Sequence, residues 1–214
     1  YLSGKPQLLL PLGGAAGAEI ARYLRRENIS KYLVSLREPT RVNVIVTTTA
    51  GRQMRFNPLG PNVSAGEWRR LMVVLQKYLR RVKLLILTGS LPRGVSVQAY
   101  AAIIRLAHRT GVRTLLDCDG AALTAAVRAR PFLVKPNEHE LAQWAGKPLR
   151  SELELIRAAT AMSRKTQGWV LVSRGGKRSL LVNEVDNHQQ FLAPKKVKPH
   201  NTVGAGDALL AGVA

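Results

Sequence analysis

Short apolar runs that alternate with amphipathic helical segments restrict the folds open to this chain. The runs at residues 7–12, 83–88 and 132–134 are each followed by a segment with apolar residues at helical spacing. Such alternation predicts repeated β-α-β units, which build a parallel sheet covered by helices. We therefore expect an α/β protein.

Residues 41–57 interrupt this alternation. Val42, Val44 and Val46 occupy every second position, Ala50-Gly51 forms a turn, and residues 53–56 return as a second strand. This pattern predicts a β-hairpin. The hairpin is interpreted either as a lid lying off the main sheet or as an antiparallel pair at its edge.

Polar and small residues recur where the predicted strands end. They are Gly13-Gly14, Gly89-Ser90, Asp117, residues 135–137 and Ser173. In an open α/β sheet, ligands bind beyond the carboxyl ends of the strands. We expect these residues to share one face of the protein with the turn at residues 201–207.

That turn places Gly204, Ala205 and Gly206 directly before Asp207 and an apolar run. Small residues leave backbone N–H groups accessible, and a helix N-terminus adds partial positive charge. A carboxylate beside such a turn can accept a proton from a hydroxyl. The turn indicates phosphoryl transfer to an alcohol, although glycine-rich turns also serve only to cap or pack a helix.

Asn137 and Glu140 lie on the same side of a predicted helix start. An amide oxygen and a carboxylate together suit Mg²⁺, often through water. The alternative is a helix cap with a solvated acid, and these two residues alone favour that alternative.

Two basic features have both a functional and a structural interpretation. Residues 173–178 form a glycine-containing basic turn that would contact nucleotide phosphates or simply close a hairpin. Arg41, at the base of the predicted hairpin, would bind an anionic substrate or lie solvated. The sequence contains no Walker-type phosphate loop, no zinc-type Cys/His spacing and no persuasive Ser/His/Asp group.

The chain is strongly basic, with 33 Lys and Arg against 13 Asp and Glu and a net charge of +20. A focused basic surface with interleaved aromatic residues would indicate nucleic-acid binding, but these charges are spread over many predicted elements. Nucleic acid is therefore a disfavoured partner, although the net charge does not exclude it. A basic field would also attract ATP and sugar phosphates.

No apolar run approaches the roughly 20 residues that a membrane helix needs, so no membrane partner is expected. The single Cys118 forms no internal disulfide and favours a reducing compartment, so we expect a cytoplasmic protein. The sequence stops at Ala214, inside the apolar run after Asp207. We interpret the chain as a fragment.

Five segments, taken in order, resemble the PfkB (ribokinase-like) family of sugar kinases, and within it the 1-phosphofructokinase and tagatose-6-phosphate kinase branch. They are residues 40–43, 57–61, 88–94, 135–141 and 201–207. The resemblance implies one ribokinase-like domain over residues 1–214, three-layered α/β/α and Rossmann-like, with a small β lid at about 41–57. It also implies about 50 further residues before Tyr1 and further helices after Ala214, so the chain looks truncated at both ends.

The resemblance also implies roles for individual residues. Asp207 would be the catalytic base, and the backbone amides of Gly204, Ala205 and Gly206 would stabilise the transferred phosphoryl group. The expected ATP contacts are Lys135, Asn137, Ser173, Gly175, Lys177 and Thr202. The expected sugar contacts are Arg41, Asn43, Gly89 and Ser90, and Asn137 and Glu140 would serve Mg²⁺. The lid would close over the substrate and form a homodimer interface.

We therefore predict an ATP- and Mg²⁺-dependent kinase that acts on a ketohexose phosphate. The first choice is a 1-phosphofructokinase, which converts fructose 1-phosphate to fructose 1,6-bisphosphate, and the near alternative is a tagatose-6-phosphate kinase. The alternative from another class is a catalytically weak pseudokinase that acts as a basic scaffold for RNA or a large assembly. The net charge favours this alternative, whereas the intact turn at residues 204–207 argues against it.

Overall fold

The computed structural model describes residues 6–48, 53–194 and 204–214. The chain separates into two compact units. The first contains residues 1–78 and 92–96, and the second contains residues 79–91 and 97–214. The prediction of one domain over residues 1–214 stays a prediction.

The first unit begins with a β-α-β motif. Its elements are β1 (Gln7–Leu12), α1 (Gly14–Arg26), β2 (Ser30–Ser35), β3 (Val44–Thr47), β4 (Gln53–Phe56) and α2 (Ala65–Leu79), of which the last residue belongs to the second unit. β1 and β2 are parallel, whereas β3 and β4 form an antiparallel pair. The predicted hairpin is therefore present, and its turn lies outside the described residues.

Glu67 fixes the start of α2. Its buried carboxylate accepts hydrogen bonds from Arg37 N at 2.6 Å, Ser64 N at 2.8 Å and Ser64 Oγ at 2.7 Å. Ser64 Oγ accepts in return from Glu67 N at 3.3 Å. These contacts form the reciprocal helix cap that the Ser64–Glu67 spacing predicts. They hold the pKa of Glu67 at about 2, because the hydrogen bonds outweigh the effect of burial.

The second unit contains a six-stranded mixed sheet and five helices among its described residues. Its elements are β5 (Leu84–Thr88), α3 (Ala99–Arg109), β6 (Arg113–Asp117), α4 (Gly120–Val127), β7 (Leu133–Val134), α5 (Glu138–Ala145), α6 (Glu152–Thr166), β8 (Trp169–Val172), β9 (Ser179–Asn183), β10 (His188–Leu192) and α7 (Ala205–Gly212). The strand order is β10-β9-β8-β7-β6-β5. Strands β5 to β8 are mutually parallel, whereas β9 and β10 are antiparallel to their neighbours.

Side chains on both faces of this sheet are buried. Leu115, Leu133 and Leu171 pack together with Leu210 of α7. Leu116 follows Leu115, so it points to the opposite face, and it is also fully buried. A parallel sheet covered on both sides has its strand ends as the accessible places for a ligand. None of the described helices is long and apolar enough to cross a membrane.

Candidate active site

A pocket of about 180 Å³ lies at the carboxyl ends of β5 and β6, within the second unit. It is lined by Thr88, Gly89, Ser90, Asp117, Cys118, Asp119, Glu140 and Asp207. The register pairs Thr88 with Asp117, so the residues that follow these two parallel strands meet at one edge. The structure thus brings Gly89 and Ser90 together with Asp207, as predicted from the strand ends, and places Glu140 in the same pocket.

Asp207 lies in the first turn of α7, where the chain enters the pocket. Gly204 precedes this helix with φ 76°, a left-handed conformation that glycine adopts without strain. The first N–H groups of a helix have no intrahelical acceptor, so those after Gly204 are available to an anion. Thr88 Oγ1 donates a hydrogen bond to Asp207 Oδ1 at 3.3 Å, which ties the carboxylate to the end of β5. Thr202, a predicted ATP contact, lies outside the described residues.

Lys135 brings a buried positive charge to the same turn. Its side chain is 4% exposed, and its Nζ lies 2.9 Å from Asp117 Oδ2. A Cβ atom added at Gly206 would lie 3.3 Å from Lys135 Nζ, so the small residue lets the ammonium group approach the backbone of α7. The prediction placed Lys135 beside ATP, and the structure places it between the end of β6 and the glycine turn.

Asn137 and Glu140 form a reciprocal cap at the start of α5. Asn137 Oδ1 accepts from Glu140 N at 2.9 Å, and Glu140 Oε2 accepts from Asn137 N at 2.8 Å. The helix cap, which was one part of the structural alternative, is therefore present. Glu140 is not a solvated acid, however, because burial raises its pKa and the charge of Asp117 adds to the effect, against the hydrogen bond from Asn137.

Four carboxylates line the pocket, those of Asp117, Asp119, Glu140 and Asp207. In the described parts of the chain, no three His, Cys, Asp or Glu side chains are placed to hold a metal ion together. Mg²⁺ usually keeps several waters and binds phosphate oxygens through one or two carboxylates. The charge of Asp117 contributes to the raised pKa of Glu140, whereas Lys135 already counteracts it, so a further cation at this position would favour the ionised carboxylate.

Ser173 lies beside Asn137 at the end of β8. Ser173 N donates to Pro136 O at 3.0 Å, and Asn137 and Ser173 form an isolated parallel bridge. Two of the predicted ATP contacts are therefore adjacent, and one of them, Asn137, follows Lys135 by two residues. Gly175, at φ 59°, and Lys177 continue the turn, and the Lys177 side chain is 68% exposed.

The arginines of this turn are engaged within the protein. Arg174, with a side chain only 8% exposed, pairs with Glu138 at 2.8 Å and Glu152 at 3.0 Å. The bond to Glu138 is the main reason that the pKa of Arg174 is raised. The Arg178 guanidinium lies 4.7 Å from the centre of the Phe191 ring. The turn is therefore less available to phosphate than its basic sequence indicates. Lys177 is its most exposed cation, and Lys177 Nζ lies 3.9 Å from Glu138 Oε2.

Arg41 and Asn43 belong to the first unit, between β2 and β3, and both are exposed. Thr40, just before them, is held to the end of β1 because Gly13 N donates to its Oγ1 at 2.9 Å. Their predicted contact with the sugar stays a prediction.

A family model described as pfkB family carbohydrate kinase matches residues 1–214. The chain belongs to the pfkB family. Among its relatives is a 1-phosphofructokinase of Haemophilus influenzae, 37% identical over 177 residues, which cover 81% of this chain and 55% of that protein. A 1-phosphofructokinase of Bacillus subtilis is 32% identical over 202 residues, 94% of this chain and 65% of the relative. The chain thus spans between about half and two thirds of these two pfkB proteins.

Solved structures confirm the predicted ribokinase-like α/β fold. Phosphofructokinase-2 from Escherichia coli, solved in complex with substrates and products, superposes with a TM-score of 0.87 at 30% identity, over 98% of this chain and 68% of that one. Ribokinase from Giardia lamblia, at 17% identity and a TM-score of 0.78, shares the fold.

The sequence prediction missed several residues of this pfkB pocket. Thr88 and Asp119 line it and were given no role, whereas Asp117 was expected at this face only as a strand end and pairs with the buried Lys135. Cys118 is also at the pocket, where burial and the charges of its two neighbours raise the pKa of the thiol to about 12. The sequence did contain a signal for these residues, because acidic residues lie at the end of β6. The parallel register of β5 and β6 is needed to show that they lie beside Thr88.

Tyr100 was missed as well, because it contributes no group to the pocket surface. It lies buried in α3, and its hydroxyl donates a hydrogen bond to Gly89 O at 2.8 Å. Thr88 O, at 3.2 Å, is a second acceptor for the same hydroxyl. Burial raises the pKa of this phenol, so it stays a donor. Tyr100 therefore holds the end of β5 at the pocket.

Proposed function

We propose that the protein containing this chain is an ATP-dependent kinase of ketohexose phosphates, with Asp207 as its base. The observation that carries the proposal is the position of Asp207. Its carboxylate lies in the first turn of α7, beside accessible helix N–H groups, and accepts a hydrogen bond from Thr88 in a pocket at the strand ends. A base next to an anion site is what phosphoryl transfer to a hydroxyl requires.

The residues around Asp207 supply positioning and charge stabilisation rather than covalent chemistry. The N–H groups that follow Gly204 would accept charge on the transferred phosphoryl group. Lys135 adds a full positive charge behind them, and Asp117 keeps its ammonium group in place at 2.9 Å. Because this pair is buried, its orientation is fixed before substrate arrives.

ATP and Mg²⁺ fit the second side of the pocket. Bound Mg²⁺ would neutralise charge on the phosphates of ATP, held through water by Glu140 and supported by Asn137. Asn137 and Ser173 are adjacent, and Lys177 is the most exposed cation of the following turn. Arg174 fixes that turn to the starts of α5 and α6 through Glu138 and Glu152.

For the substrate we propose fructose 1-phosphate, with tagatose 6-phosphate as the near alternative. The proposal rests on relatives named 1-phosphofructokinase at 32% to 37% identity. A relative of E. coli named ATP-dependent 6-phosphofructokinase isozyme 2 is 31% identical, so fructose 6-phosphate belongs in the same panel. Arg41 and Asn43 would contact the sugar phosphate together with Gly89 and Ser90.

We also propose that the hairpin of β3 and β4 serves as a homodimer interface. Val44, Val46, Met54 and Phe56 on these strands are between 41% and 56% exposed, which is unusual for large apolar side chains. Light scattering of the full-length protein and of the variant Val46→Asp/Phe56→Asp would test this. A mass that is monomeric in both proteins would refute the interface.

The activity is tested with the full-length protein, ATP, Mg²⁺ and four acceptors: fructose 1-phosphate, fructose 6-phosphate, tagatose 6-phosphate and ribose. We expect turnover on a ketohexose phosphate and a fall in kcat of about 10²- to 10⁴-fold in Asp207→Asn, with KM little changed. Asp186→Asn is the matched control, because Asp186 lies in the β9–β10 turn, away from the pocket.

Two results would contradict the proposal in different ways. Absence of turnover on all four acceptors would refute the substrate class. Equal kcat values for wild type and Asp207→Asn would refute the mechanism but leave the family membership unaffected.

A further inference from the structure

The fold gathers basic residues at the edge of the second unit opposite the pocket. The amino ends of parallel strands and the carboxyl ends of the connecting helices meet at that edge. Six exposed residues there, which we name the basic edge, are Lys83, Arg109, Arg113, Arg128, Arg130 and Lys165. Lys83 and Arg113 precede or begin neighbouring strands, and Arg113 N donates to Lys83 O at 3.2 Å. Charges that are scattered in the sequence thus become neighbours through topology.

Acidic residues of the same unit are concentrated at the other edge. They occupy the first turns of α5, α6 and α7 and the end of β6. Among the described residues, Glu184 and Asp186 in the β9–β10 turn are the acids nearest the amino ends of the strands, and Glu184 pairs with Arg164 at 2.6 Å. The basic edge therefore has little acidic charge to neutralise it.

Helix stability explains only part of this arrangement. Cations near helix carboxyl ends are favourable, which accounts for Arg109, Arg128 and Lys165. It does not account for Lys83 or Arg113, which flank strands. Arg130 has φ 59°, a left-handed conformation that suits glycine, so an arginine here is strained. In the described parts of the chain, no ion pair joins any of the six residues to a carboxylate.

One aromatic ring lies within the basic edge. Phe132, which precedes β7, is 37% exposed, and the Arg113 guanidinium lies 4.9 Å from the centre of its ring. A guanidinium held over a ring presents a flat cationic surface on which a nucleobase can stack. A basic strip that includes such a surface is what proteins use to bind single strands.

We propose that the basic edge binds single-stranded nucleic acid. Lys83, Arg109, Arg128, Arg130 and Lys165 contact phosphates, and Arg113 with Phe132 stacks against a base. From β5 to β8 the basic edge is three strand spacings wide, which is about 14 Å. This width exceeds the size of one phosphate group and matches a short stretch of nucleic-acid backbone. This function is independent of the kinase reaction, because it uses the edge opposite the pocket.

The test measures fluorescence anisotropy of labelled 20-nucleotide single strands of RNA and of DNA with the full-length protein at several salt concentrations. If each of the five residues contacts one phosphate, log K falls with log salt at a slope of about −3.5. The variant Arg109→Ala/Arg128→Ala/Arg130→Gly should lose at least about tenfold in affinity at 0.1 M salt and flatten the slope by about 2. Glycine at residue 130 relieves the left-handed strain, so the melting temperature should not fall because of it.

The matched control is Lys147→Ala/Arg150→Ala/Arg157→Ala, which removes the same charge from exposed positions outside the basic edge. We expect less than threefold loss of affinity in this variant. Phe132→Leu keeps an apolar side chain and should weaken binding severalfold without changing the salt slope. All these variants should retain the kcat of the wild type on the sugar phosphate.

Three results would overturn the proposal. The first is no binding of either single strand at 0.05 M salt. The second is an equal loss of affinity in the two triple variants, which would assign binding to net charge alone. The third is an affinity for duplex or for polyglutamate equal to that for the single strands, together with no effect of Phe132→Leu on affinity. That result would show that the basic edge has no specificity for single strands. Loss of kinase activity in all proteins would refute the proposed reaction and leave this inference standing.

Discussion

Thr114 offers a sharp test of the described interior. Its side chain is 0% exposed in β6, and its Oγ1 has no hydrogen-bond partner among the residues that the structure describes. A buried hydroxyl without a partner costs about 1–3 kcal/mol of folding free energy. Thr114→Val replaces that hydroxyl with a methyl group of nearly the same shape. We therefore expect the substitution to stabilise the protein by about 1 kcal/mol, the lower end of that range, since the larger methyl must be accommodated.

Thr166 is the matched control, because it is also buried, at 1% exposure, but fully hydrogen-bonded. Its Oγ1 donates to Ser163 O at 3.1 Å and accepts from Gly168 N at 3.1 Å. Thr166→Val leaves both of these groups unpaired, so we expect a loss of about 2 kcal/mol. The same chemical change should thus have opposite signs at two buried threonines of one unit.

The assay is thermal unfolding followed by circular dichroism, with urea unfolding as a second measure. For a chain of this size, 1 kcal/mol corresponds to about 2–4 °C in the melting temperature. Thr114→Val should melt higher than wild type, and Thr166→Val should melt lower. A lower melting temperature for Thr114→Val would show that its hydroxyl has a partner, and would refute the reasoning.

Two further predictions concern residues that support the ends of elements. Because hydrogen bonds from Ser64 and Arg37 lower the pKa of Glu67 from 4.5 to about 2, its stabilising contribution is present above pH 4.5 and is lost as the pH falls towards 2. Glu67→Gln should therefore be less stable than wild type at pH 7, and the difference in melting temperature should shrink between pH 5 and pH 2; a constant difference would contradict the assigned pKa. Tyr100→Phe removes the hydroxyl that binds Gly89 O, so it should cost about 1 kcal/mol and lower kcat severalfold, whereas Tyr23→Phe at an exposed site should change neither. Unchanged stability and kcat in Tyr100→Phe would exclude the positioning role.

The order and type of the elements could be predicted because hydrophobic periodicity is a local property. The strand predicted at residues 83–88 is observed at Leu84–Thr88, and the Ser64–Glu67 cap is present as its spacing indicated. The α/β class followed from the same alternation. These features depend on residues that are close together in the sequence.

The parts that could not be predicted depend on contacts between distant residues. The predicted ATP contact of Lys135 stays a prediction, whereas its ion pair with Asp117 could not be predicted because it depends on the register of β6 and β7. The sequence placed Arg174 in a turn with a possible role in binding phosphate. In the structure, Glu138 of α5 and Glu152 of α6 neutralise its charge. Charge scattered along a sequence likewise gives no indication of which edge of a sheet will collect it.

The separation of acids and bases over the two edges of the sheet gives the second unit a built-in electric polarity. Arg109, Arg128 and Lys165 mark one pole, and Asp117 and Asp207 mark the other. A negatively charged support, such as a cation-exchange resin, would attract the second unit by its basic pole. Because the pocket lies at the opposite pole, a second unit attached in this way would present its strand-end pocket to the solution, with the entrance for small anions open.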